Sequence, residues 1–235
     1  MTKNSALGAL AAIAAVFASP ALAEPILLDA SNVGESFTIN YDGFSDGTTI
    51  DNLTASTTFT LTGATDDTYS FDYIVNNTTD GGVGSRISSF AFNTDPNITD
   101  ASSTGNYDFA VTDSKFPNGI GSVDVCFKGG DSKSCAGNRG GVTTGETGTG
   151  TLTLSFDGPI SSLTLDDFFV RYQSVTGVDW ISSANGQQVS SSTSGGSTTS
   201  GGTPVPGPGM LGLFAASLIG LGLMRRRRRG GLVPA

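Results

Sequence analysis

SFTINY, from Ser36 to Tyr41, alternates strictly between polar and apolar residues. Its apolar members, Phe37, Ile39 and Tyr41, fall on one side of an extended chain, and the polar residues between them fall on the other. A period of two residues is typical of a β-strand that buries one face and exposes the other. The stretch therefore predicts a half-buried strand.

Further segments show the same alternation or a short apolar run bounded by turn residues. They are 55–61, 69–75, 86–92, 107–111, 123–127, 152–156, 160–165 and 168–172. Clusters such as Asp46-Gly47 and Asp157-Gly158-Pro159 separate them, and these residue types favour turns. We predict an all-β domain over 24–181, an antiparallel β-sandwich of about eight or nine strands, with a closed barrel as the second choice.

The N-terminus has the three parts of a secretory signal peptide. Lys3 comes first, an apolar run follows from Ala6 to Phe17, and the small residues Ala21 and Ala23 precede Glu24. We predict a signal peptide over 1–23, cleaved before Glu24.

The C-terminus carries a second targeting signal. An apolar run from Met210 to Met224 is followed at once by a block of arginines: Arg225, Arg226, Arg227, Arg228 and Arg229. We predict a single transmembrane helix, although 15 helical residues reach only roughly 22 Å against a hydrocarbon core of roughly 30 Å. By the positive-inside rule the arginines stay in the cytoplasm, so everything before the run lies outside it.

Residues 182–203 are dominated by Ser, Thr and Gly. This composition buries little apolar surface and predicts a flexible linker between the β-domain and the anchor.

Charge is distributed unevenly along the chain. All 21 acidic residues lie between the two apolar ends, together with only six of the 12 basic residues, which gives that region a formal charge of −15. Such a domain repels phosphate backbones, so nucleic acid is excluded as a partner.

Cys126 and Cys135 are the two cysteines, and the sequence has no histidine. In an exported chain such a pair predicts a disulfide. The alternatives are a redox pair, which usually has Cys-x-x-Cys spacing, and a zinc site, which usually needs more Cys or His ligands.

The absence of histidine also excludes Ser-His-Asp and Cys-His catalysis. Carboxylates remain, but the adjacent pairs Asp66-Asp67 and Asp166-Asp167 should point to opposite faces of a strand and so form no acid/base couple. We predict a protein that is not an enzyme and has no cofactor.

Calcium is the metal that an acidic exported domain is most suited to bind, because calcium prefers oxygen ligands such as carboxylates. Asp95, Asn97 and Asp100 alternate like ligands, but Ile98 stands where a helix-loop-helix calcium site needs glycine, and Thr104 stands where it needs Glu. The same residues fit simple Asx turns. We therefore predict no metal, with Asp95, Asn97 and Asp100 as the weak candidates.

Pro204, Val205, Pro206 and Gly207, followed by the apolar run and the arginine block, resemble the PEP-CTERM sorting signal of Gram-negative bacteria over 204–229. Val205 stands where that family usually has Glu, and a tail over 230–235 extends beyond the usual end. The resemblance implies recognition by exosortase, a membrane-embedded cysteine protease, and delivery to the cell envelope or the extracellular polysaccharide matrix.

The central region resembles the cistern family of PEP-CTERM proteins. The matching stretches are 85–87, 92–98, 117–121 and 125–129. The resemblance covers most of the predicted domain and implies no activity for particular residues.

Three functions follow as hypotheses. The first is a non-enzymatic protein that is anchored in the inner membrane by its C-terminal helix, processed by an exosortase-type protease, and then associated with the envelope or extracellular polysaccharide. The second is a secreted carbohydrate-binding module, with or without calcium, in which Trp180 and tyrosines stack on sugars, although aromatics at strand spacing are more often core. A carboxylate glycosidase is the third and the least supported.

Overall fold

The structure is a computed structural model that describes residues 24–130, 134–137 and 139–194. The predicted signal peptide with Ala21 and Ala23, the sorting motif 204–207 and the arginine block 225–229 lie outside these residues. Within the described ranges, no helix is long and apolar enough to cross a membrane.

The described residues form twelve β-strands and two short 3₁₀ turns, Ala30–Asn32 and Gly105–Tyr107. The strands are β1 Ile26–Leu28, β2 Ser36–Ser45, β3 Thr48–Ala64, β4 Thr68–Asn77, β5 Gly84–Asp95, β6 Asp100–Ser103, β7 Phe109–Phe116, β8 Gly121–Lys128, β9 Val142–Thr143, β10 Thr147–Ser155, β11 Leu163–Thr176 and β12 Ser183–Ser194. The prediction of an all-β antiparallel domain is confirmed.

All twelve strands belong to one antiparallel sheet, in the order β6-β10-β4-β3-β2-β12-β11-β5-β8-β7, with β1 added to β11 and β9 to β5. Its two ends, β6 and β7, approach each other and are joined by residues 104–108, so the sheet is nearly closed and barrel-like. The predicted sandwich of eight or nine strands is therefore wrong in layering and in strand number. Long strands that bend at bulges allow one sheet to wrap around its own core.

The interior is aromatic. Five phenylalanine rings pack with centroid separations of 5.3 to 6.3 Å: Phe37, Phe59, Phe90, Phe92 and Phe168. They come from β2, β3, β5 and β11, and each ring is at most 2 % exposed. The alternation seen at Ser36 to Tyr41 thus places one face of β2 in an aromatic core that it shares with β3, β5 and β11.

Tyr73 holds the closing segment between β6 and β7 from the inside. Its hydroxyl donates to the carbonyl oxygen of Thr104 over 2.6 Å and accepts from the backbone N–H of Tyr107 over 3.0 Å. Gly150 lies beneath the same contact, because a Cβ built there would overlap the Thr104 carbonyl oxygen. The near closure of the sheet depends on this close approach.

The second half of the predicted segment 160–165 and the whole of 168–172 belong to one strand, β11, which begins at Leu163. Its register against β5 shifts between Asp166 and Phe169, and Asp167 has a left-handed φ of 49°. A bulge interrupts the alternation without ending the strand. For that reason the sequence pattern suggested two strands.

The predicted linker over 182–203 is wrong in its first part, because Ser183–Ser194 is β12 and lies between β2 and β11. Both backbone edges of this strand are paired, so its stability depends little on apolar side chains. Only Ala184, Asn185 and Gly186 are buried among the strand residues whose side chains are described. The β-domain accordingly extends past residue 181.

The outer face of β5 and β11 is covered by the turn that joins β7 to β8. Phe116 packs on Phe169 with ring centroids 6.0 Å apart, and Asn185 donates to the carbonyl oxygen of Pro117 over 2.7 Å. A second small apolar cluster forms beneath this cover and includes both cysteines.

The disulfide between Cys126 and Cys135 is present, as predicted. Both residues are fully buried, and Ser89 on β5 donates its hydroxyl to the carbonyl oxygen of Cys135 over 3.2 Å. The disulfide therefore fixes the loop after β8 onto the outer face of the sheet.

Candidate binding groove

A groove of about 340 Å³ lies where three connections meet: the β2–β3 hairpin, the loop between β4 and β5, and the loop between β11 and β12. It is lined by Thr49, Ile50, Asp51, Asn52, Gly81, Val83, Gly177, Val178 and Trp180. No Lys or Arg is among these residues.

Asp51 and Asn52 reach the groove because β3 bulges against β2. The register between these strands shifts between Asp42 and Gly43, and Asn52 takes a left-handed φ of 64°. Asparagine adopts that conformation more easily than most residues. The bulge leaves the side chains of Asp51 and Asn52 exposed at the groove.

Glycines allow the neighbouring loops to pack closely. Gly81 has a φ of 59°, and a Cβ there would come within 2.6 Å of the Asn52 Nδ2. A Cβ on Gly177, which has a φ of 78°, would overlap the carbonyl oxygen of Gly82. A backbone bond of 3.0 Å from Asp80 N–H to the Asn52 carbonyl ties the β4–β5 loop to β3. The groove is thus built by backbone contacts.

Trp180 is 58 % exposed at the groove. All five tyrosines are buried, as expected of aromatics at strand spacing, so Tyr172 gives Trp180 no exposed partner and the alternative of a platform shared with tyrosines is not supported. The sequence indicates why Trp180 is exposed while the tyrosines are buried. Trp180 follows Gly177 and Asp179 in a turn-rich stretch, outside the alternating segments that place the tyrosines in the core.

The three weak calcium candidates lie at the connection between β5 and β6. Asp95 ends β5, Asp100 begins β6, and both are exposed, as is Asn97 between them. Within the part of the chain that the structure describes, no group of three or more acidic or cysteine residues is arranged to hold a metal.

Asp166 lies in an acidic group on the outer face. Burial raises the pKa of its carboxyl, and the neighbouring carboxylates of Asp167, Asp124 and Asp95 raise it further. Asn93, which pairs directly with Asp166, donates to Asp167 over 3.0 Å. The bulge therefore brings these two adjacent carboxylates to the same side, and the expectation of opposite faces is wrong for Asp166-Asp167. The other pair, Asp66-Asp67, lies in the turn between β3 and β4.

No family model matches the chain, and no curated protein or solved structure matches it either.

Proposed function

We propose that this chain is an exported, non-enzymatic protein of the cell envelope or extracellular matrix, delivered by an N-terminal signal peptide and a C-terminal exosortase-type sorting signal. In this proposal the C-terminal helix holds the protein in the inner membrane until a membrane protease cuts near Pro206. The β-domain then associates with extracellular polysaccharide.

The buried Cys126–Cys135 disulfide is the observation that carries the proposal. Disulfides form and persist outside the reducing cytoplasm, so a disulfide within the folded domain agrees with export. The charge distribution supports the same topology, because the acidic region lies between two apolar ends and the arginines follow the second.

Mass spectrometry of the native termini, in membranes and in medium, tests the proposal. We expect a mature N-terminus at Glu24 in both fractions, a C-terminus beyond Arg229 only in membranes, and a shorter C-terminus near Pro206 outside. A Pro206→Ala/Gly207→Ala variant should accumulate in membranes uncut, whereas the control Ser200→Ala, in the Ser/Thr/Gly-rich stretch before the motif, should be processed normally. Full-length chain in every fraction of the wild type would refute sorting by cleavage.

A further inference from the structure

We propose that the groove beside Trp180 binds a pyranose ring of a neutral polysaccharide, with the indole stacked on the ring and Asp51 and Asn52 bonded to its hydroxyls. This deepens the proposed function, on which it rests only for the source of the ligand.

The exposure of Trp180 points to a ligand with a flat apolar face. Its indole is 58 % exposed, while every tyrosine and the phenylalanines of the main core are buried. A concavity that combines an aromatic side chain with a few polar groups has the composition of a ligand site. The C–H face of a pyranose ring covers such a surface and leaves the sugar hydroxyls free at the ring edge.

Asp51 and Asn52 supply the polar contacts that a sugar needs. A carboxylate accepts hydrogen bonds, and a carboxamide both accepts and donates them, so neighbouring hydroxyls can each find a partner. Both side chains are exposed and line the groove. A ligand in the groove can therefore reach both polar groups.

The negative charge of the groove and of the surrounding domain favours a neutral sugar over an anionic one. The lining contains one carboxylate, Asp51, and no basic side chain, and the region between the chain's apolar ends has a formal charge of −15. A uronic acid or a sulfated sugar would be repelled. The volume of about 340 Å³ is at the small end of the range of roughly 300–1,000 Å³ for ligand sites, which suits a short part of a glycan chain.

Trp180 is the single tryptophan of the sequence, so intrinsic fluorescence reports directly on this site. The full chain, held in a polyoxyethylene detergent that contains no sugar, would be titrated with cellohexaose and mannohexaose, and with trigalacturonate as the anionic comparison. We expect a saturable emission shift with at least one neutral hexasaccharide and at least tenfold weaker binding of trigalacturonate. No saturable shift with either neutral probe, or equal binding of trigalacturonate, would overturn the proposal.

Substitutions in the groove test which residues contact the sugar. Binding is measured by calorimetry, because Trp180→Ala removes the fluorophore. Trp180→Ala and Asp51→Asn should each weaken binding at least tenfold, as should Asn52→Gly, which keeps the left-handed backbone accessible. Leu27→Ala, at an exposed apolar residue of β1 outside the groove, should bind like the wild type. Unchanged binding by Trp180→Ala, with its circular dichroism intact, would exclude this groove. Terminus mapping in cells and binding in detergent fail independently, so the two proposals can be told apart.

Discussion

The Nη1 of Arg171 donates to the Oδ1 of Asn185 over 3.0 Å and so joins β11 to β12. The Nη2 donates to the Ser183 hydroxyl over 3.0 Å, and Asn185 in turn donates to the Pro117 carbonyl over 2.7 Å. Arg171 is only 6 % exposed, and burial lowers its pKa. A buried cation held by neutral partners depends on each of those hydrogen bonds.

Asn185→Ala should lower the free energy of unfolding by about 1–3 kcal/mol, because it removes the side-chain acceptor of the Arg171 Nη1 and the side-chain donor to the Pro117 carbonyl. Asn40→Ala is the matched control, since Asn40 makes one side-chain bond to β12 at a partly exposed site. Its effect should stay within about 0.5 kcal/mol. Urea denaturation measures both, and equal effects would show that the buried network adds no stability.

β12 should be essential for folding even though its composition is that of a linker. A chain ending after Ile181 leaves β2 and β11 without their shared neighbour and opens the aromatic core to solvent. We expect it to lack the β-type circular dichroism spectrum and to be degraded rapidly by protease. A chain ending after Ser194 should keep both properties of the wild type. Folding of the shorter chain would contradict the structural role of β12.

The sequence predicted the parts of this fold in which side-chain pattern and burial agree. Ser36 to Tyr41 alternates because one face of β2 packs on the core, and the strand predicted there is confirmed. β12 was missed because its stability comes from backbone pairing on both edges, which leaves no apolar period in Ser183–Ser194. Pattern in single strands also carries no information about their order, so it could not distinguish one wrapped sheet from two stacked sheets.

The candidate site was predictable only in part, for a related reason. Trp180 could be named from residue type, and the disulfide from cysteine spacing. Asp51 and Asn52 come to the groove through a bulge, and Gly81 and Gly177 through close backbone contacts with other loops. Such contacts join residues far apart in the chain, and no local pattern records them.

Removal of the disulfide should destabilise the domain by about 2–3 kcal/mol on the chain-entropy estimate for a short loop. The variant is Cys126→Ala/Cys135→Ala, and its buried alanines should keep the outer cluster apolar. Thermal unfolding of this variant should match that of the reduced wild type. If the oxidised wild type and the double variant unfold at the same temperature, the disulfide contributes nothing to stability.

Gly150→Ala should destabilise the closure of the sheet by about 1–3 kcal/mol, because the added methyl group overlaps the Thr104 carbonyl oxygen and the Tyr73 hydroxyl. Gly63→Ala on β3 is the control, since the nearest atom to a Cβ there is 3.9 Å away and its φ is not left-handed. The control should be neutral or slightly stabilising. Urea denaturation compares the two, and a neutral Gly150→Ala would mean that β6 and β7 are not held together by the Tyr73 contact.

Asp166→Asn should stabilise the domain at neutral pH and lose this advantage in acid. Burial and three neighbouring carboxylates raise the pKa of Asp166 above its ordinary 3.8, so the folded state binds this proton more tightly than the unfolded chain does. The wild-type carboxyl therefore adds stability below pH 3.8 and loses that contribution as the pH rises through the folded pKa. After allowance for solvent screening, the gain from Asp166→Asn at pH 7 should be about 0.3–1 kcal/mol.

Urea denaturation from pH 3 to pH 8 measures this difference, with Asp72→Asn at an exposed position of β4 as the control. Because the repulsion is between partly exposed charges, about 0.5 M salt should also reduce the gain at pH 7. The control shows the effect of removing an exposed carboxylate elsewhere on the sheet. A gain for Asp166→Asn that stays constant down to pH 3 would mean that its cause is not the ionised carboxylate, and the acidic group would then have no electrostatic role in stability.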